Sequence, residues 1–230
     1  MINFSDFEKQ IKIQFRDKKL LKQAFTHRSY INENPSRDFS HNERLEFLGD
    51  AVLELVTTEY LFEKYPEKPE GELTSIRAAL VNSQMLAKVA SENNMNDYLL
   101  LSRGEKKDIG KARQYIMANA FEALVGAIYL DQGYEPSKKF IENNLLLRAE
   151  EIVKGDLWRD AKSYFQEKAQ EIAGITPIYE VLKEWGPDHS KHFVIGVFLG
   201  KELVAEGEGS SKQEAQQNAA ENALKKKSWN

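Results

Sequence analysis

The sequence predicts two domains in tandem: an all-α domain over residues 1–153, a connector at 154–158, and a small α+β domain ordered α-β-β-β-α over 159–228. Three observations predict this. Up to about Ile152 the apolar residues recur at helical spacing. The stretch from Lys154 to Trp158 is short and polar. Beyond it the period switches to alternation, clearest where Phe193, Ile195, Val197 and Leu199 share one face of a strand. With 230 residues, 41% of them hydrophobic, the chain has enough apolar surface for proper cores.

Taken in order, Ser5 followed by Glu8 has the capping-box pattern and predicts a helix through about residue 15. A second helix opens at Asp17 and turns Leu20, Leu21, Ala24 and Phe25 inward. In the AFTHRSY segment that follows, His27 reads as a hydrogen-bonded structural histidine. After the polar loop NENPSRDFS, a long helix spans about 42–64 and stops before Pro66. Gly49 in its middle costs about 1 kcal/mol relative to Ala, which predicts that another backbone packs closely there. Two helices at about 73–81 and 83–93 lead to an irregular stretch with Gly104 and Gly110. A strongly apolar helix at 111–130 follows, then a last one opened by Pro136 and running to about residue 152.

In the second domain Asp160 caps a helix that ends at Gly174. Strands follow at 177–185, 191–199 and 202–208, joined by GPDHSK and by Gly200-Lys201. The final helix, about 211–227, has Ala215, Ala219, Ala220 and Ala223 on one face, small enough to lie close on a sheet.

The stretch with the most chemistry is HNERLEFLGDAV, residues 41–52. It sets Glu43, Glu46 and Asp50 at i, i+3 and i+7 on one helical stripe, with Leu45, Leu48 and Val52 turned away. An acidic stripe is ordinarily a solvated face. Here its flanks are apolar and no Lys or Arg stands where it neutralises all three acids, Arg44 lying on another side, so a carboxylate cage for a hard divalent ion fits better.

Composition narrows the function classes. The chain has no cysteine, so disulfides and thiolate metal sites are excluded. The N-terminus, MINFSDFEKQIK, is charged where a signal peptide needs an apolar run, and no stretch approaches the roughly 18 apolar residues of a membrane span. The expectation is a cytoplasmic protein with no membrane partner. The formal net charge of −4 points away from nucleic acid unless the acids are gathered at a metal site. From Trp158 onward there are 10 Lys and Arg against 11 Asp and Glu, so any nucleic-acid-binding face there would be a local stripe and not a basic domain.

NERLEFLGDAVL resembles, nearly letter for letter, the signature of the ribonuclease III family; AFTHRSY resembles a second motif of that family, and MANAFEALVGAIYLD, residues 117–131, its second metal motif. The α-β-β-β-α order with GEGSSKQEAQQNAA at the last helix start resembles the double-stranded RNA-binding domain. The resemblance implies an all-α ribonuclease III catalytic and dimerisation domain followed by that binding domain. It implies a homodimer that cleaves double-stranded RNA at staggered positions, one strand per subunit, leaving short 3′ overhangs on precursors of ribosomal and messenger RNA. It further implies Mg²⁺, with Mn²⁺ as the alternative ion, and no organic cofactor. Residue by residue, Glu46, Asp50, Asn119 and Glu122 match the metal positions, and Asp50, Glu122, Glu43 and Glu70 the catalytic ones. Glu43 and Glu70 are expected to hold waters, a second ion or the RNA backbone. Phe47 matches the aromatic at the subunit joint, while periodicity alone reads it equally well as a core residue. Gln166 and Glu167, His189, and Ser211 with Lys212 match the three RNA-contact regions. Gln213 and Gln216 stand where the family is often basic, which predicts weaker, more salt-sensitive RNA binding.

One position departs from the family: it has Asp where this chain has Asn119. Asn keeps an oxygen but loses a charge, and its amide nitrogen cannot ligate. Three readings stand open: an engineered inactivating substitution, a natural enzyme that tolerates Asn with weaker metal affinity, and a non-cleaving double-stranded RNA-binding scaffold with the same fold. Retention of every other acid argues against simple drift.

Overall fold

In the computed structural model, which describes residues 2–35, 40–107, 110–156, 158–187 and 191–229, the first element is α1 (Phe4–Ile11). Its cap is Asn3, whose side chain accepts from the Ser5 amide, and Lys12 closes it in the left-handed conformation. The Ser5–Glu8 capping box is therefore not formed, and the helix stops short of residue 15. Glu8 is drawn elsewhere: its carboxylate, 7% exposed, accepts from the Phe15 amide and from Lys18. Asp17 caps α2 (Lys18–Ala24) as its sequence position predicts. His27 Nδ1 accepts from the Ser29 amide and so caps α3 (Arg28–Glu33), a short helix that the sequence reading does not foresee.

The long helices are α4 (Glu43–Lys64) and α7 (Lys111–Gln132), with α5 (Glu70–Val81) and α6 (Ser83–Glu92) between them in sequence. α7 is buried along most of its length, and α2, α4, α6 and α8 (Tyr134–Asn144) all pack on it. The helix expected over 136–152 is broken. α8 ends at Asn144, a 3₁₀ turn covers Leu146–Arg148, and α9 (Ala149–Lys154) resumes. Among the described residues no helix is long and apolar enough to cross a membrane.

The chain separates into two compact units, Met1–Trp158 and Arg159–Asn230. Trp158 packs against the first unit's core, with the Lys68 ammonium 5.5 Å from its ring centroid. In the second unit α10 (Ala161–Ala173) is capped by Asp160 and closed by Gly174 in the left-handed conformation. β1 (Ile178–Trp185), β2 (His192–Leu199) and β3 (Glu202–Gly209) form an antiparallel sheet in that order, with a register shift in β1 between Val181 and Lys183. α11 (Lys212–Lys227) lies so close on β3 that a Cβ at Gly207 would stand 2.1 Å from the Ala219 nitrogen. The small faces of Ala215, Ala219, Ala220 and Ala223 allow that approach. Along the same edge, the Asn218 and Asn222 amides donate to the Glu208 and Glu206 carbonyls at 2.7 and 2.8 Å.

Candidate metal centre and duplex-binding surface

The centre is built where α4 and α7 cross. A Cβ on Gly49 would stand 1.8 Å from the Glu122 carbonyl oxygen, and one on Gly126 would stand 2.2 Å from the Leu45 carbonyl oxygen. The backbones touch, and only paired glycines permit that. The approach carries Glu46 and Asp50 on α4 up to Asn119 and Glu122 on α7.

Electrostatics shows how closely these groups sense one another. Burial, reinforced by the charges of Asp50 and Glu46, pushes the Glu122 carboxyl up from 4.5 to about 7. Glu46 is raised by burial and by the charges of Glu43 and Asp50, against a hydrogen bond from the Asn119 side chain that lowers it. No Lys or Arg is among the groups that act on either acid. Negative charge is thus in surplus at the centre, which favours a cation.

The donors fit a hard divalent ion: three carboxylates and one amide oxygen, with no sulfur or imidazole among them. They are not closed into a cage, since among the described residues no three His, Cys, Asp or Glu side chains converge to ligating geometry. The Asn119 amide is among the groups that act on Glu46.

Glu43 is exposed, as Asp50 is, while Glu46 is half-buried. What sets Glu43 apart is a pair of basic neighbours, with Arg28 Nη1 at 3.6 Å and His41 Nδ1 at 3.7 Å from its two carboxylate oxygens. Its charge is partly answered by Arg28 on α3, a partner the sequence does not advertise because it depends on that short helix. Glu70 is not brought to the centre within one chain. It is the first residue of α5, accepts from Thr74 Oγ1 at 3.0 Å, and lines a cavity of about 420 Å³ with Thr58 and Phe62. Those two lie 8 and 12 residues beyond Asp50 on α4, or roughly 12 to 18 Å along its axis.

Phe47 is 82% exposed, so it is no core residue of the single chain. With Leu55 at 58% and Phe62 at 72% it forms an apolar stripe on α4 beside the acidic one.

In the second unit Gln166 and Glu167 are exposed on α10. Ser211 caps α11 by accepting from the Glu214 amide at 3.2 Å, and the exposed Lys212 has its ammonium 5.7 Å from the Phe193 ring centroid. The helix N-terminus there has amides suited to phosphate. His189 lies outside the described residues. Lys162, absent from the expected set, bonds Gln216 Oε1 at 2.8 Å and brings a cation to the junction of α10 and α11. Its signal in the sequence is only a lysine in the first turn after the Asp160 cap.

An acidic centre between two touching helices, followed by an α-β-β-β-α unit with polar helix starts, defines a class of nucleic-acid-processing proteins. Comparison with known proteins makes it particular. A family model described as ribonuclease-III-like matches residues 17–149, and one described as double-stranded RNA binding motif matches 161–227. Ribonuclease 3 of Nitratiruptor sp. is 46% identical over 228 residues, covering 98% of this chain and 97% of that protein. Ribonuclease 3 of Enterococcus faecalis is 43% identical, covering 96% of each. The nuclease domain of ribonuclease III from Campylobacter jejuni, whose structure is described for flexibility in a region involved in dimer formation, superposes with a TM-score of 0.55 at 43% identity, covering 62% of this chain and 98% of that one. The chain belongs to the ribonuclease III family.

Proposed function

We propose that the chain is a divalent-metal-dependent endoribonuclease that hydrolyses double-stranded RNA as a homodimer, with Mg²⁺ as the ion and Mn²⁺ as its substitute. The observation that carries this reading is the surplus-negative centre at the α4–α7 crossing, in a family member whose second unit matches a double-stranded RNA binding motif. The proposed substrates are precursors of ribosomal and messenger RNA in the cytoplasm, cut to leave short 3′ overhangs.

Glu46, Asp50 and Glu122, with the Asn119 amide oxygen, would hold the ion. Bound there, divalent ions supply an activated water and neutralise charge on the phosphoryl group as its bond breaks. The remaining work belongs to the chain. Glu122 keeps its proton up to about pH 7 until a cation replaces it. Asn119 must turn its oxygen, not its nitrogen, into the centre, which means giving up its bond to Glu46. Glu43, flanked by Arg28 and His41, holds water or RNA backbone at the rim. Gln166 and Glu167 meet 2′-hydroxyls, while His189, Ser211 and Lys212 meet the backbone of a duplex read by its shape.

The exposed stripe of Phe47, Leu55 and Phe62 supports the dimer. A two-fold contact between antiparallel α4 helices sets Phe47 of one protomer against the Phe62 end of its partner. In such a dimer each Glu70 would serve the other protomer's acids, a reading supported by its distance from the acids of its own chain.

The test is cleavage of a long perfect RNA duplex with Mg²⁺, comparing this chain with Asn119→Asp. Cutting by both supports a working Asn119 site; cutting by the Asp form alone makes this chain an inactive version of the same centre. A second reading, a non-cleaving duplex-binding scaffold, is favoured by Asn119 itself, an amide beside three carboxylates where the resemblance expects an Asp. It replaces the first if both forms bind duplex and neither cuts.

A further inference from the structure

Tyr115, Asn119 and Glu122 stand at i, i+4 and i+7 on α7 and therefore share one face. The latter two meet the acids of α4, and Tyr115 continues their stripe one turn towards the helix start, about 6 Å along the axis from Asn119. Helical side chains lean towards the N-terminus of their helix, so the polar ends of Asn119 and Glu122 incline towards the Tyr115 turn. Tyr115 is 59% exposed, and among the described residues neither its hydroxyl nor its ring has a hydrogen-bonded or stacked partner. A solitary exposed tyrosine elsewhere on the surface would need no explanation. This one extends the working face of the centre and ends in an unused donor.

We infer that Tyr115 is a substrate contact, its phenol donating to a backbone oxygen of the duplex next to the scissile phosphate; this rests on the nuclease reading above. The chemistry suits the place. The bases of a duplex are stacked inside it, so a side chain at this point meets phosphate oxygens and 2′-hydroxyls, both of which accept from a phenol. A lysine there would also bind phosphate, but it would neutralise the acids and compete with their cation. A phenol holds the strand without adding charge.

Because the contact is neutral it releases no counterion, and its loss changes affinity without changing salt dependence. The experiment is steady-state cleavage of a short RNA duplex with Mg²⁺, in the chain and in its Asn119→Asp form, for Tyr115→Phe, Tyr115→Ala and Glu122→Gln. Loss of one neutral hydrogen bond is expected to raise KM about three- to tenfold in Tyr115→Phe. Tyr115→Ala raises it further, while kcat, the melting temperature and the slope of log KM against log salt stay at parental values. If Glu122→Gln silences cleavage while both Tyr115 variants keep the parental KM, the Tyr115 contact is overturned and the metal centre stands. If Glu122→Gln cuts like its parent, the metal-centre reading falls and this inference falls with it.

Discussion

A single amide sets the charge at the centre. Asn119 acts on Glu46 by lowering its carboxyl, where the Asp that the resemblance expects would add a fourth negative group; in the proposed metal centre the amide therefore gives a weaker pull on a cation. Asn119→Asp is expected to tighten Mn²⁺ or Mg²⁺ binding about tenfold or more, read by calorimetric titration; equal affinities would remove Asn119 from the donor set. Glu122 gives the pH dependence. Its folded value, about 7, lies above its ordinary 4.5, so the stability it contributes is fully present below pH 4.5 and is lost as pH rises through 7. In EDTA, Glu122→Gln should melt several degrees above the parent at pH 8, with the gap narrowing as the pH falls to 5. A gap that does not depend on pH would contradict the shift. Helical period alone put Glu43, Glu46 and Asp50 on one stripe, whereas Glu122 was singled out only by the resemblance of residues 117–131 to a family motif. Arg28 beside Glu43 was not legible, since local pattern does not say where a six-residue helix docks.

At the level of elements, the crossing of α4 and α7 is where sequence and geometry meet most directly. Gly49 inside an apolar helix announced that some backbone approaches; it carried no sign that the partner would be Gly126 or the Glu122 carbonyl. Gly49→Ala forces the two helices apart, because the atom met at 1.8 Å is backbone and cannot rotate away. It should cost about 3 kcal/mol or more in urea unfolding and abolish metal binding. A variant with parental stability would mean that the helices do not touch there. Helix ends were less legible. Asn3 and Ser5 both suit a cap, and the choice was made by Glu8, whose carboxylate is taken by Phe15 and Lys18. The break after Asn144 left no glycine or proline in the sequence to mark it.

For the whole molecule, the two-unit order was legible because periodicity changes sharply at the connector, whereas the proposed dimer rests on family resemblance and on the exposed Phe47. Phe47→Asp is expected to shift the chain to monomer in sedimentation; an unchanged dimer would move the interface off this stripe. If Glu70 serves the partner's centre, a mixed dimer of Glu70→Gln and Glu122→Gln protomers contains one composite centre with both lesions and one with neither. Mixing two silent homodimers should then restore cleavage, and continued silence would return Glu70 to its own protomer or remove it from the reaction. The edge of the small sheet bears on how such molecules behave when many gather on one long duplex. β3 is an outer strand, and outer strands invite foreign strands to add on. The amides of Asn218 and Asn222 already occupy two of its carbonyls, so a neighbouring copy aligned along β3 finds those two acceptors taken and a weaker template for pairing there.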